Sequence, residues 1–276
     1  MSVRSSTRGS VIPIIALVVC SWLLVLHFHL QWDWLPSSDP LAASPPPAVE
    51  IVVASLQSED TSWFRHYLPR WSHAIYVVND PSAKLTVPVN KGREAMVYLT
   101  HLIDSYDRLA DTTVFHHASR FAWHNDDPDY DALPALRNLR LDYVQSTGYA
   151  NLRCVWTLGC PVEIRPHDDA AADWKLGNGT SSSSTADRTL TAREIYKQAF
   201  EQLMPGTEVP EEVGVSCCSQ FAVSREAVRT RPREDYVRWR EWLIETPLPD
   251  DLSGRVFEYL WHSECLFSLG SDGHIC

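Results

Sequence analysis

Glu50-Ile-Val-Val-Ala-Ser55 constrains the fold of this chain more than any other segment. Its unbroken apolar centre suits a strand covered on both faces, and such strands belong mainly to α/β sheets. The pattern then repeats. Residues 58–71 read as a helix, and Ile75-Tyr-Val-Val78 reads as a second strand ending in Asn79-Asp80-Pro81. Residues 92–106 read as an amphipathic helix, with Met96, Leu99, Leu102, Ile103 and Tyr106 at near-helical spacing. Thr113-Val-Phe115 opens a third strand. Strand–helix–strand–helix–strand with short connections predicts a Rossmann-like α/β fold, its parallel strands flanked by helices. Further helices are expected over 133–145, 192–204, 233–243 and 254–262, and short strands over 149–156 and 220–223.

The N-terminus is of a different kind. Val11 to Leu30 contains no Asp, Glu, Lys or Arg. A helix of that length rises about 30 Å, enough to cross the hydrocarbon core of a bilayer. Arg4 and Arg8 precede it, while Asp33 and Asp39 follow with no nearby Lys or Arg. The positive-inside rule then predicts a type II single-pass protein: a cytoplasmic tail (1–10), a transmembrane signal anchor (11–31), a Pro/Ser linker (32–48) and a luminal domain (49–262). The expected compartment is the Golgi or the endoplasmic reticulum. A cleaved signal peptide, leaving a secreted protein, is the competing reading.

Residues 1–47 hold two basic and two acidic residues, so the luminal part keeps the full net charge of −11. A nucleic-acid partner needs a basic face, so none is expected. Apart from Cys20 in the anchor, six cysteines fall on the luminal side, an even number that permits disulfides in an oxidising compartment. Cys154 and Cys160 are the most local candidate pair. Asn178-Gly-Thr180, within a Ser-rich run, is an N-glycosylation sequon.

The chemistry concentrates after the third strand. His116, His117, Arg120, His124, Asn125, Asp126 and Asp127 fall within twelve residues, beside Phe121 and Trp123. In α/β folds ligands bind outside the carboxyl ends of strands, which is where this cluster lies. Asp126 and Asp127 are hard oxygen donors suited to a divalent cation, Mn2+ or Mg2+, with His117 and His124 as further ligands or as a base. An Asx–Pro turn is the competing explanation of Asp126-Asp127-Pro128. Asn90-Lys-Gly-Arg93 opens a helix, so Arg93 is placed to hold a phosphate; an ordinary helix cap would use the same residues. Glu258 and His262 lie four apart on one helix face, as an acid/base pair or as a simple hydrogen bond. No G-x-S-x-G, H-E-x-x-H, P-loop or G-x-G-x-x-G motif is present.

Several long motifs carry a resemblance: Glu50-Ile-Val-Val-Ala-Ser55, Asn90-Lys-Gly-Arg-Glu-Ala-Met-Val-Tyr-Leu99, Trp123-His-Asn-Asp-Asp-Pro128, residues 151–160 and Cys217-Cys-Ser-Gln-Phe-Ala-Val-Ser-Arg-Glu226. In this order they resemble domain of unknown function 3431, a mostly fungal family, across about residues 49–262; the tail 263–276 departs from it. More loosely, the order of elements is similar to GT-A glycosyltransferases. That resemblance implies a mixed sheet and transfer of a sugar from a nucleotide-sugar donor to a glycan or glycoprotein acceptor. It implies Asn79 and Asp80 at the nucleoside, Arg93 at the diphosphate and Asn90 among the substrate-binding residues. Arg120 and Trp123 would lie at substrate, with His117, His124, Asp126, Asp127, Glu258 and His262 supplying metal binding or base function. The chain lacks the Asp-x-Asp of that fold, its third strand ending in His116-His117 instead. Two other readings are a non-catalytic glycan-binding protein and a metal-assisted hydrolase.

Overall fold

The computed structural model describes residues 47–153, 163–168 and 191–261, together with residues 22, 23 and 27. The chain divides into two units, Met1–Pro46 and Pro47–Cys276. Among the described residues no helix is long and apolar enough to cross a membrane. The anchor expected over 11–31 lies outside them except for those three positions, and Cys154, Cys160, Asn178 and His262 lie outside them altogether.

The second unit is a mixed α/β structure around a five-stranded sheet. Its strands are β1 (Val49–Ser55), β2 (Ser72–Val77), β3 (Thr112–His117), β4 (Tyr149–Asn151) and β5 (Phe221–Ser224), in the order β2-β1-β3-β5-β4. β2, β1 and β3 are parallel, whereas β5 runs antiparallel to both β3 and β4. The parallel pattern therefore covers only the first three strands, each pair of them joined through a helix as a parallel crossover requires. Phe115 faces Phe221 across the β3–β5 pair.

Two helical layers cover the sheet. One contains α1 (Ser62–Tyr67), α3 (Leu133–Arg137) and α4 (Leu141–Thr147). The other contains α2 (Glu94–Ser105), α5 (Ala192–Leu203), α7 (Arg233–Glu245) and α8 (Asp250–Leu260), while a short α6 (Arg225–Arg229) follows β5. The pleat sorts β1 between them: Val49, Ile51 and Val53 join the first core and Val52 the second. That two-sided demand is why the strand reads as a continuous apolar run. α2 is buried nearly all round, from Ala95 to Ser105 with Asp104 as the exception.

Some elements differ from expectation for local reasons. α1 is short because Glu59 accepts the Leu56 N–H and Asp60 accepts the Ser62 N–H, turning the segment before it. The helix expected over 133–145 is two helices, broken where Arg140 adopts an extended backbone and pairs with Asp142. α8 begins four residues before Gly254, with Asp250 and Asp251 in its first turn, where carboxylates suit the helix dipole.

Candidate active site at the carboxyl edge of the sheet

Because β1, β2 and β3 are parallel, their carboxyl ends share one edge of the sheet, and α2 starts there. Two cavities of about 450 and 340 Å3 open at that edge. They share a wall made of Arg93, Glu94, His117 and His124. The smaller cavity is bounded by Ser55, Leu56, Val78 and Asn90, at the ends of β1 and β2. The larger is bounded by Trp123, Cys218, Arg255 and Glu258.

The shared wall has unusual proton chemistry. His117 Nε2 stands 3.3 Å from Glu94 Oε1. The approach misses hydrogen-bond geometry, so the buried Nε2 has no hydrogen-bond partner. Burial raises the Glu94 pKa above the usual carboxylate range, against the opposing pull of Arg93 and His124. Burial also lowers His117 to about 4, helped by Arg93 and opposed by a hydrogen bond with the Cys218 backbone. His124, with its ring 4.6 Å from that of His117, is lowered to about 4 by burial and then by His117. Carboxyl and imidazoles are thus all pushed toward their uncharged forms. A carboxyl with a raised pKa and a neutral imidazole are the kinds of group that general acid–base catalysis uses, and here neither is tied up in a hydrogen bond to the other.

Behind them, His116 is 1% exposed and its Nδ1 is 2.7 Å from the His117 carbonyl. Burial depresses its pKa to about 3, from an ordinary 6.5. Between those values the unfolded chain binds a proton that the folded chain refuses, so stability falls as pH falls, by up to ~1.4 kcal/mol per pH unit. His116→Asn should therefore flatten the acid side of the stability profile. Urea midpoints at pH 7.5 and 5 measure this; equal acid losses in variant and parent would contradict it.

Arg93 reaches the wall from a strained turn. Gly92 and Arg93 both have left-handed backbones (φ 66° and 53°), a conformation uncommon outside glycine. The surroundings enforce it. A Cβ on Gly92 would stand 2.5 Å from Leu243 Cδ1, and one on Gly254 would stand 3.0 Å from the Gly92 carbonyl oxygen. Lys91 Nζ donates to the carbonyls of Ile244 and Thr246, and the Gly92 N–H donates to Asp250 Oδ1 at 3.2 Å. The end of α7 and the start of α8 thus hold the turn that aims Arg93.

The far wall is assembled from distant parts of the chain. Glu258, with a side chain 13% exposed, accepts the Cys218 N–H and pairs with Arg255 at 3.1 Å. Burial raises its pKa, with Arg255 opposing. Cys217 and Cys218 are joined by a disulfide between adjacent residues. Arg153 Nη1 donates to the carbonyls of Trp123 and His124, at 3.2 Å each. Trp123 is 55% exposed, with its ring 4.2 Å from that of His124.

The residues expected from sequence divide into two groups. Asn90, Arg93, His117, Trp123, His124 and Glu258 line the cavities. Asn79 instead accepts the Gln57 N–H, and Asp80 accepts from the Ser82 N–H and hydroxyl, so both hold turns outside the cavity walls. Arg120 makes a two-point pair with Asp131 (2.8 and 2.6 Å) and lies over Tyr67. Asp127 Oδ1 accepts the N–H groups of Asp129 and Asp131, an Asx turn. Neither Asp126 nor Asp127 lines either cavity. Among the described residues no group of three or more His, Cys, Asp or Glu is arranged to hold a metal ion. Sequence reading passed over Glu94, Cys218 and Arg255. The signals open to it were the carboxylate next to Arg93 at a helix start and the paired cysteines.

Residues 51–271 match the family described as protein of unknown function (DUF3431), and the chain belongs to it. No curated protein matches the chain.

Proposed function

We propose, from the site rather than from a family without an assigned activity, that this protein transfers a sugar from a nucleotide sugar to a glycan or glycoprotein hydroxyl. The observation that carries the reading is the pair of cavities meeting at one proton-handling wall, since a transferase must bring two substrates to a common reacting centre. The smaller cavity, at the carboxyl ends of β1 and β2, takes the nucleotide; the larger takes the acceptor. A GT-A-type fold belongs to the same proposal, supported by three parallel strands followed by an antiparallel one.

In the proposed reaction the acceptor oxygen attacks the anomeric carbon and the bond from that carbon to the phosphate oxygen breaks. Its electron pair leaves with the nucleoside diphosphate. Glu94, next to His117 Nε2, receives the hydroxyl proton. Arg93, in both cavity walls, faces the diphosphate with a planar, permanently charged group. In the described residues Asp126 and Asp127 do not fit a metal at this wall, so no step runs through one. The setting we propose is a lumen-facing protein held by the apolar segment 11–31.

The rival reading, a non-catalytic glycan-binding protein, has one specific support: the exposed and pinned Trp123, a face on which a sugar can stack. The full chain, incubated with nucleotide sugars and mixed glycan acceptors, should release nucleoside diphosphate only when both substrates are present. Release at the same rate without acceptor would overturn transfer in favour of hydrolysis.

A further inference from the structure

Two adjacent cysteines seldom bond to each other, and here the bond sits in the wall of the larger cavity. Cys218 lines that cavity, and with both cysteines only 7% exposed the cavity is the side from which a small reagent would approach the disulfide. The backbone there is left-handed at two non-glycine residues, Cys218 (φ 97°) and Ser219 (φ 49°), a conformation that needs an external constraint. Arg153 Nη1 lies 3.2 Å from Cys217 Sγ and 3.6 Å from Cys218 Sγ, a cation positioned to stabilise a thiolate on either sulfur. The same Nη1 holds the carbonyls of Trp123 and His124. The Cys218 N–H holds Glu258. One short segment thus anchors both sides of the cavity mouth.

We propose that Cys217–Cys218 is a thiol–disulfide exchange site, open to small dithiols, whose oxidised form keeps the His124 loop and Glu258 in place. A thiolate of the dithiol attacks Cys218 Sγ and the Cys217–Cys218 bond breaks. Cys217 leaves as a thiolate beside Arg153, and a mixed disulfide forms at Cys218. The reagent's second thiol then displaces Cys218, leaving two protein thiols and the reagent as its own disulfide. Two electrons have passed to the protein. Once reduced, Arg153 is drawn toward a thiolate and away from the 123 and 124 carbonyls, and residues 217–219 lose their constraint. This switch operates whatever the cavity binds, so it survives failure of the transferase reading.

The test uses the full chain, with dithiothreitol as the dithiol. Denaturation in iodoacetamide without reductant should leave Cys217 and Cys218 unlabelled, in a single peptide lacking two hydrogens; prior reduction should label both. In the native chain, reduction should raise amide hydrogen exchange across 122–125 and 216–219 by about tenfold or more, with 96–103 of α2 unchanged. A Cys217→Ser, Cys218→Ser double variant should exchange like the reduced protein. Labelling without reductant, a bond from either residue to a third cysteine, or unchanged exchange over 122–125 would each overturn the proposal. So would a rise that extends equally to 96–103, since the bond would then be a general staple of the fold.

Discussion

Glu94→Gln should lower acceptor-dependent release of nucleoside diphosphate by a factor of about 10²–10⁴, while the KM for the donor changes little. The substitution keeps size and shape and removes only the ability to take a proton. The proposed role rests on its place in the wall shared by both cavities, 3.3 Å from His117 Nε2, where burial raises its pKa. A change confined to KM would make Glu94 a binding residue. An unchanged kcat would remove it from the mechanism and return the base role to His124 or Glu258.

The largest stability effect is expected from Phe115→Ala, which should cost about 3–5 kcal/mol. Phe115 is fully buried in β3, between β1 and β5. Its ring lies 4.5 Å from that of Tyr98 on α2 and 4.9 Å from that of Phe221 on β5. No neighbouring segment can collapse into the space, since strands bound it laterally and a helix covers it. At roughly 2–4 °C per kcal/mol for a domain of this size, the midpoint should fall by roughly 10 °C. A loss under 1 kcal/mol in urea titration would mean that this core is looser than its contacts imply.

The sequence exposed those parts of the fold that follow from periodicity. β1 and α5 are examples: a strand buried on both faces and a helix with one apolar stripe each leave an unambiguous pattern. Ile195, Tyr196, Ala199, Phe200 and Leu203 are all buried along α5, at the spacing of a single helix face. The direction of β5 was not legible, because a run of three apolar residues, Phe221-Ala-Val223, reads the same either way and pairing with β3 is decided by the returning chain. The helix expected over 133–145 failed at Arg140, where the backbone departs from helix without a glycine or proline to announce it.

The site shows the same division. The polar residues clustered after β3 lie at the edge of the sheet where the two cavities open, yet they are of two kinds. Arg120, Asn125, Asp127 and Asp131 build the loop through their own hydrogen bonds. His117, Trp123 and His124 face the cavity. Composition cannot separate the two, because an Asp that caps a turn and an Asp that binds a ligand are the same letter. Glu94 was hidden as one member of a plausible helix cap. The Cys218–Glu258 contact joins residues 40 apart and exists only once α8 has docked.

Thermal unfolding of the full chain against a panel of nucleotide sugars, with and without manganese, reads whether the wall shared by the two cavities binds such a donor. A ligand at 100 times its Kd adds about 2.7 kcal/mol to the folded state, a rise of roughly 5–10 °C at this size. One nucleotide class should give such a rise, and Arg93→Ala should lose it. A cooperative melt that no nucleotide shifts would contradict donor binding at that wall and leave glycan binding at Trp123 as the reading to pursue.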